Sequence, residues 1–90
     1  MEKFEIIKKI VDDVDMVDLK PGLVTPLDEY DSYSNSILSI VVNKKFLSKD
    51  DLAFRIKKIF QSGFEDEISE EVYLSKSIYI AEEILKKYLK

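Results

Sequence analysis

The sequence predicts an all-α fold, a single small domain over residues 1–90 with about four helices, approximately 2–16, 26–43, 49–62 and 70–89, packed as a compact bundle. Three observations carry that expectation. Apolar residues recur at spacings of three and four rather than two, capping residues stand where helices would begin, and only two glycines and two prolines punctuate the 90 residues. A composition of 46% hydrophobic and 36% charged residues belongs to a folded domain rather than a disordered one. A chain of this size buries only ~60% of the surface its unfolded form exposes. Its core is therefore small, with little room for a deep, enclosed active site.

The first helix follows from Phe4, Ile7, Val11 and Val14, with Ile6 and Ile10 widening the stripe, and Glu5 with Lys9 forms a favourable i,i+4 pair. Lys20-Pro21-Gly22 ends or kinks whatever precedes it. Two registers are open for the second helix. In one, Thr25 caps, Pro26 takes the first helical position and Asp28 the third; in the other, Asp31 or Ser32 caps and 25–30 is a turn. Tyr30, Tyr33, Ile37, Ile40 and Val41 then face inward, with Asp28, Asp31, Ser32, Asn35 and Ser39 on another face. On propensity alone "ILSIVV" also suits a strand, although no partner strand is evident.

The third helix has the best-marked ends. Ser48 and Asp51 form a capping box, Leu47 and Leu52 a hydrophobic staple, and Leu52, Ile56, Ile59 and Phe60 an inward stripe. Gly63 is placed to take a left-handed C′ position, with Phe64 folding back near Ile59. The fourth helix starts at a Ser69 cap, with Glu70 and Glu71 at the positive end of its dipole and Ile68 stapling onto Tyr73. Leu74, Ile78, Ala81, Leu85 and Tyr88 make its apolar stripe, and Glu82 with Lys86 and Glu83 with Lys87 support its exposed side.

The chain contains no cysteine and no histidine, which removes disulfides, thiolate nucleophiles, imidazole bases and ordinary zinc sites. "DDVDMVD" (12–18) lacks the alternating oxygen ligands, glycine and bidentate glutamate of a calcium loop. No metal or cofactor is expected. Carboxylate-pair hydrolysis needs two acids across a cleft, one with a raised pKa, and an acid-rich polar turn supplies no evident desolvation. The chain is thus not expected to be an enzyme. The charged N-terminal stretch is no signal peptide or membrane span, and the expectation is a cytoplasmic protein without membrane partners.

Charge is unevenly spread. Net charge is −4; residues 12–31 carry seven acids against Lys20, residues 65–71 carry five acids and no base, and residues 44–58 carry six bases against Asp50 and Asp51. Lys44, Lys45, Lys49, Arg55, Lys57 and Lys58 could serve nucleic acid, but one arginine and a negative overall charge argue against it. Charge runs on short helices are commonly solvated faces. An acidic surface studded with tyrosines is better suited to a basic protein partner, because acids steer encounter and tyrosines anchor contacts. The candidate partner-binding residues are Asp28, Glu29, Tyr30, Asp31 and Tyr33, joined by Glu65, Asp66, Glu67, Glu70 and Glu71.

A pattern over roughly residues 24–89 combines Pro26 with Asp28-Glu29-Tyr30-Asp31, then "ILSIVV", "LSKDDLAFRIKKIFQSGFE" (47–65) and "YIAEEILKKYL" (79–89). It resembles the YugE-like family of small helical proteins from Bacillus-type bacteria, a domain of unknown function. The chain departs from that family's pattern at Gly63 and in "SYSNS" after Asp31. The resemblance implies a small all-helical bacterial protein and brings no activity. In type rather than motif, the chain is also similar to the small acidic immunity proteins that cover the basic active site of bacterial nuclease toxins, although the colicin-type paired-tyrosine-proline motif is absent. The leading expectation is an immunity-type inhibitor that neutralises a basic toxin by surface docking. The alternative is a regulatory or adaptor domain without catalytic activity, open to self-association.

Overall fold

A computed structural model describes residues 3–20, 22–26 and 28–88. Four α-helices are present, α1 (Lys3–Val14), α2 (Asp31–Val42), α3 (Lys49–Phe64) and α4 (Glu70–Lys87), with a single 3₁₀ turn at Glu65–Glu67. The described residues contain no strand, so "ILSIVV" belongs to α2. α3 and α4 pack most extensively, α1 lies against both α2 and α4, and α2 touches α3 more lightly. The radius of gyration is 12.1 Å, as expected for a compact chain of ~90 residues. No described helix is long and apolar enough to cross a membrane.

One core collects apolar residues from every helix: Ile7, Ile10 and Val11 from α1, Ile37 and Val41 from α2, Leu52, Ile56 and Phe60 from α3, and Tyr73, Ile80 and Ile84 from α4. Met16 and Tyr30 enter it from the segment between α1 and α2. The stripes of α1 and α3 match the expected ones. That of α4 is turned by one position, because the buried line runs through Tyr73, Ser77, Ile80, Ala81 and Ile84, while Leu74 is exposed and Ile78, Leu85 and Tyr88 are half-buried. α4 has α1 on one flank and α3 on the other, so its broad apolar surface centres between them, where small Ser77 and Ala81 admit close neighbours.

Several helix ends differ from expectation. α1 stops at Val14, because Asp15 turns to a left-handed φ of 52° and its carboxylate leaves the helix to organise the following loop. Of the two open registers, α2 adopts the one that leaves 25–30 as a turn and begins at Asp31, not the one that starts near Pro26. Its cap lies one residue earlier than expected. Tyr30 occupies its N-cap without a side-chain cap bond, and Thr25 instead donates its hydroxyl to the Leu19 carbonyl at 2.9 Å. Backbone turns from Glu29 N–H to Pro26 O and from Asp31 N–H to Asp28 O lead into the helix. The predicted ends at Glu2 and Leu89, Pro21 of the breaker and Leu27 of the longer second helix lie outside the described residues.

At α3, Ser48 Oγ accepts the Asp51 N–H at 3.2 Å, and Asp51 Oδ2 reaches back one residue further than a standard capping box, to the Leu47 N–H at 2.7 Å. The staple is not formed, since Leu47 is 94% exposed. α3 also runs through Gly63 instead of ending there. The reason is close approach: a Cβ on Gly63 would fall on the Tyr33 hydroxyl and only 2.7 Å from its Cζ. Glu65 takes the positive φ (50°) in its place, as the C-cap. The Schellman pattern appears on α2, where Lys44 N–H bonds Val41 O, Lys45 N–H bonds Ile40 O, and Lys44 has φ 51°. At α4, Ser69 caps as expected by accepting the Val72 N–H at 3.3 Å. Of the expected i,i+4 pairs, Glu83–Lys87 forms at 3.0 Å. Lys9 pairs with Asp13 instead of Glu5, and Glu82 reaches across to Lys49 on α3.

Candidate partner-binding surface

The acids of residues 12–31 are largely used by the fold itself. Asp15 leaves the end of α1 and accepts three hydrogen bonds, from Leu19 N–H (2.7 Å), Lys20 N–H (2.9 Å) and the Tyr30 hydroxyl (2.6 Å). The Tyr30 oxygen in turn accepts the Val17 N–H at 3.1 Å. From α4, Lys76 Nζ donates to the carbonyls of Asp15 and Met16, both at 2.9 Å. This hub pins the loop against the core. Burial would raise the Asp15 pKa, but the Tyr30 hydroxyl, the Lys20 and Leu19 amides and the nearby Lys76 charge hold it below the usual value. The same burial and the Asp15 carboxylate push the Tyr30 phenol well above its ordinary value, so it stays a neutral donor.

Tyr30 is therefore not a surface anchor. It is 0% exposed and meets Phe60 and Phe64 edge-on, each with ring centroids 6.1 Å apart. Tyr33 is half-buried and stacks on Phe60 (5.1 Å) and Phe64 (5.0 Å), which ties α2 to the end of α3 beside Gly63. Asp31 is also engaged. Lys8 lies 2.6 Å from Asp31 and 3.1 Å from Asp12. Desolvation opposes the Lys8 charge, and the two carboxylates overcome it and raise its pKa; Asp12, half-buried and sharing that one lysine, is itself shifted upward, chiefly by desolvation. Asp28 and Glu29 remain exposed beside the start of α2.

The acids of residues 65–71 sit differently. Glu65, Asp66 and Glu67 form the exposed 3₁₀ turn between α3 and α4, and none has an ion-pair partner among the described residues. Glu71 is exposed in the first turn of α4. Glu70 is occupied, because Lys57 Nζ stands 2.6 Å away and Gln61 donates to its other oxygen. These contacts hold its carboxyl below the usual range. The turn is also walled by Gly63 and Phe64, which places Tyr33 at its edge. Tyr33 is thus brought together with 65–67, whereas Tyr30 lies in the core and the half-buried Asp31 is paired with Lys8.

Sequence reasoning did not anticipate Lys57, Gln61 or Tyr73 here. Lys57 read as one of six solvated bases, yet it is buried along α3, with its ammonium on Glu70 and 5.0 Å from the Phe54 ring centroid. Its position one step from Ile56 on the inward stripe was the available signal. Tyr73 is 1% exposed, and its hydroxyl has no hydrogen-bond partner among the described residues. Among the described residues, no group of three or more acids is arranged to hold a metal ion. No protein-family model matches the chain, and neither does any curated protein or solved structure compared with it.

Proposed function

We propose that this chain is a small acidic protein-binding domain, an immunity-type inhibitor that docks onto a basic protein such as a cationic bacterial toxin in the cytoplasm, without catalysis of its own. The observation that carries the reading is the turn Glu65-Asp66-Glu67: three exposed carboxylates, without an ion-pair partner among the described residues, on a short segment fixed between two helices. Charge that the fold does not need is free to steer a partner of opposite sign, and a rigid base limits the ordering that binding requires. Glu71 is exposed in the adjoining first turn of α4, Asp28 and Glu29 are exposed before α2, and Tyr33 is half-buried. The likeness to the YugE-like family is a proposal of the same kind and adds no activity to this one.

The test is affinity capture from the native cell, followed by association kinetics of the purified partner with the wild type and with E65Q/D66N/E67Q. The expected partner is cationic, associates more slowly as salt rises, and binds the triple variant about tenfold more slowly at low ionic strength. Equal rates for the two proteins across salt would reject this surface as the docking site. A neutral partner would turn the reading to an adaptor domain.

A further inference from the structure

Two exposed apolar features lie apart from the acidic turn. The first is a turn at 22–25, held by hydrogen bonds from Gly22 N–H to Thr25 O (2.8 Å) and from the Leu23 and Val24 N–H groups to Lys20 O (3.0 and 2.9 Å). The Thr25 hydroxyl fastens it to the Leu19 carbonyl. It presents two adjacent apolar side chains to solvent, Leu23 at 87% and Val24 at 75% exposure. Asp28 and Glu29 follow within a few residues, exposed and without an ion-pair partner among the described residues.

The second is a groove of about 410 Å³ between α2 and α3, lined by Ile40, Asp51, Phe54, Arg55 and Lys58. Phe54 is 48% exposed, and the ammonium groups of Lys57 and Lys58 stand 5.0 and 5.3 Å from its ring centroid. Lys57 is committed to Glu70 and Arg55 to Asp51, whereas Lys58 has no ion-pair partner among the described residues. Lys45, also without one, donates its N–H to the Ile40 carbonyl at 3.0 Å, so a basic segment leaves the α2 edge of the groove. Apolar side chains are thus set beside an excess of positive charge.

The two features complement each other. An apolar pair followed by acids suits an apolar groove flanked by lysines, and a turn already ordered by its own hydrogen bonds loses little freedom on docking. They do not meet within one chain, because Leu23, Val24 and Phe54 all remain exposed. Ile40 also lies about 14 Å along α2 from Asp31, the end at which the chain arrives from the turn. We propose that the 22–25 turn of one copy docks into the α2–α3 groove of a second copy, with Leu23 and Val24 against Ile40 and Phe54, and Asp28 and Glu29 facing Lys45 and Lys58. This self-association goes beyond the docking of a basic protein and uses none of Glu65, Asp66 and Glu67.

The experiment follows the mass of the full chain by sedimentation velocity and light scattering between about 0.02 and 1 mM, a range suited to a contact of few side chains. The average mass is expected to rise above the monomer, with concentration-dependent amide shifts in the ¹⁵N-labelled chain centred on residues 22–29, 40–45 and 54–58. L23S/V24S alters side chains already in solvent, so it is expected to melt like the wild type and to stay monomeric. Phe54→Ser and, separately, K45E/K58E, which leaves the core packing intact, are expected to stay monomeric as well. Turn and groove are different surfaces, so L23S/V24S still offers a groove and Phe54→Ser still offers a turn; mixed together they are expected to form dimers that neither forms alone. E65Q/D66N/E67Q is expected to associate as the wild type does. A monomeric wild type would overturn the contact and leave the groove to an acidic segment of another protein. Wild-type association in L23S/V24S or K45E/K58E, a mixture without dimers, or loss of association in E65Q/D66N/E67Q would overturn it equally. None of these results bears on whether a basic partner docks at the acidic turn, which the association kinetics of that partner decide.

Discussion

The segments 12–31 and 65–71 are both crowded with acids, and the structure uses them in opposite ways. In the first, Asp12, Asp13, Asp15 and Asp31 each have a partner within the fold, and Asp15 alone accepts three hydrogen bonds. In the second, Glu65, Asp66 and Glu67 are exposed and have no ion-pair partner among the described residues, while Glu70 is engaged. Counting carboxylates therefore does not identify a docking surface. What separates the two segments is whether donors from distant parts of the chain, such as Tyr30 and Lys76, converge on them.

The largest expected effects lie in the first segment. Tyr30→Ala would empty a fully buried ring site against Phe60 and Phe64 and strip Asp15 of its hydroxyl donor, for a loss of about 3–5 kcal/mol in urea unfolding. Tyr30→Phe keeps the packing and leaves the Val17 N–H without its acceptor, for about 1–2 kcal/mol. A Tyr30→Ala variant as stable as the wild type would remove the hub from the account. Gly63→Ala tests the junction between the segments: the new Cβ collides with the stacked Tyr33 ring, and a loss of about 1–3 kcal/mol is expected despite alanine's better helix propensity.

Acid titration distinguishes the supports from one another. Asp15 has a folded pKa below its unfolded value, so its stabilisation is complete above about pH 4 and is lost as pH falls through the folded value. Asp12 has the opposite sign: its folded pKa is raised, its penalty is full at neutral pH and fades as pH falls through the raised value toward about 4. In denaturation measured from pH 7 downward, Asp12→Asn is expected to remove a gain on mild acidification. Asp15→Asn is expected to remove part of the loss below about pH 4, while Asp51, Glu70 and Glu83, whose pKa values are also lowered, keep the remainder. Unaltered pH profiles in both variants would contradict the assigned signs.

Much of the fold was legible from short-range pattern. Ser48 and Ser69 cap as read, and the stripes of α1 and α3 face the core, because capping and helical periodicity act within a few residues. The errors came from contacts distant in sequence. The start of α2 depends on Tyr30 being drawn to Asp15, and the role of Gly63 depends on Tyr33 lying against it. The rotation of α4 depends on having two neighbours. For the surface, composition found the acidic turn, and the fold buried Tyr30 and paired Asp31 with Lys8.

A subtler contrast lies in the backbone. Asp15, at φ 52°, is held in the left-handed region by its own side-chain hydrogen bonds to the loop. Glu65, with φ 50° and ψ −115°, occupies a conformation that favours glycine, and its backbone N–H is bonded to Gln61 O. Glu65→Gly is accordingly expected to raise stability by about 0.5–1.5 kcal/mol while removing one acid from the turn. If association with a basic partner slows as stability rises, the strained glutamate is maintained for its charge. A loss of stability would mean that the Glu65 side chain supports the turn.

The smallest stability effect is expected where the docking reading demands it. Carboxylates without partners add little to a folded state, so E65Q/D66N/E67Q should unfold within about 0.5 kcal/mol of the wild type in urea. Relief of mutual repulsion, if it registers, acts toward greater stability and fades with salt. The same three substitutions are the ones expected to slow a cationic partner most. A surface built for the fold would give the reverse pairing, a clear stability loss with unchanged association. Neutralising Asp15 is the matched control, because there the stability loss is expected to dominate. Measured together, the two variants separate acids that hold this chain together from acids that it presents to something else.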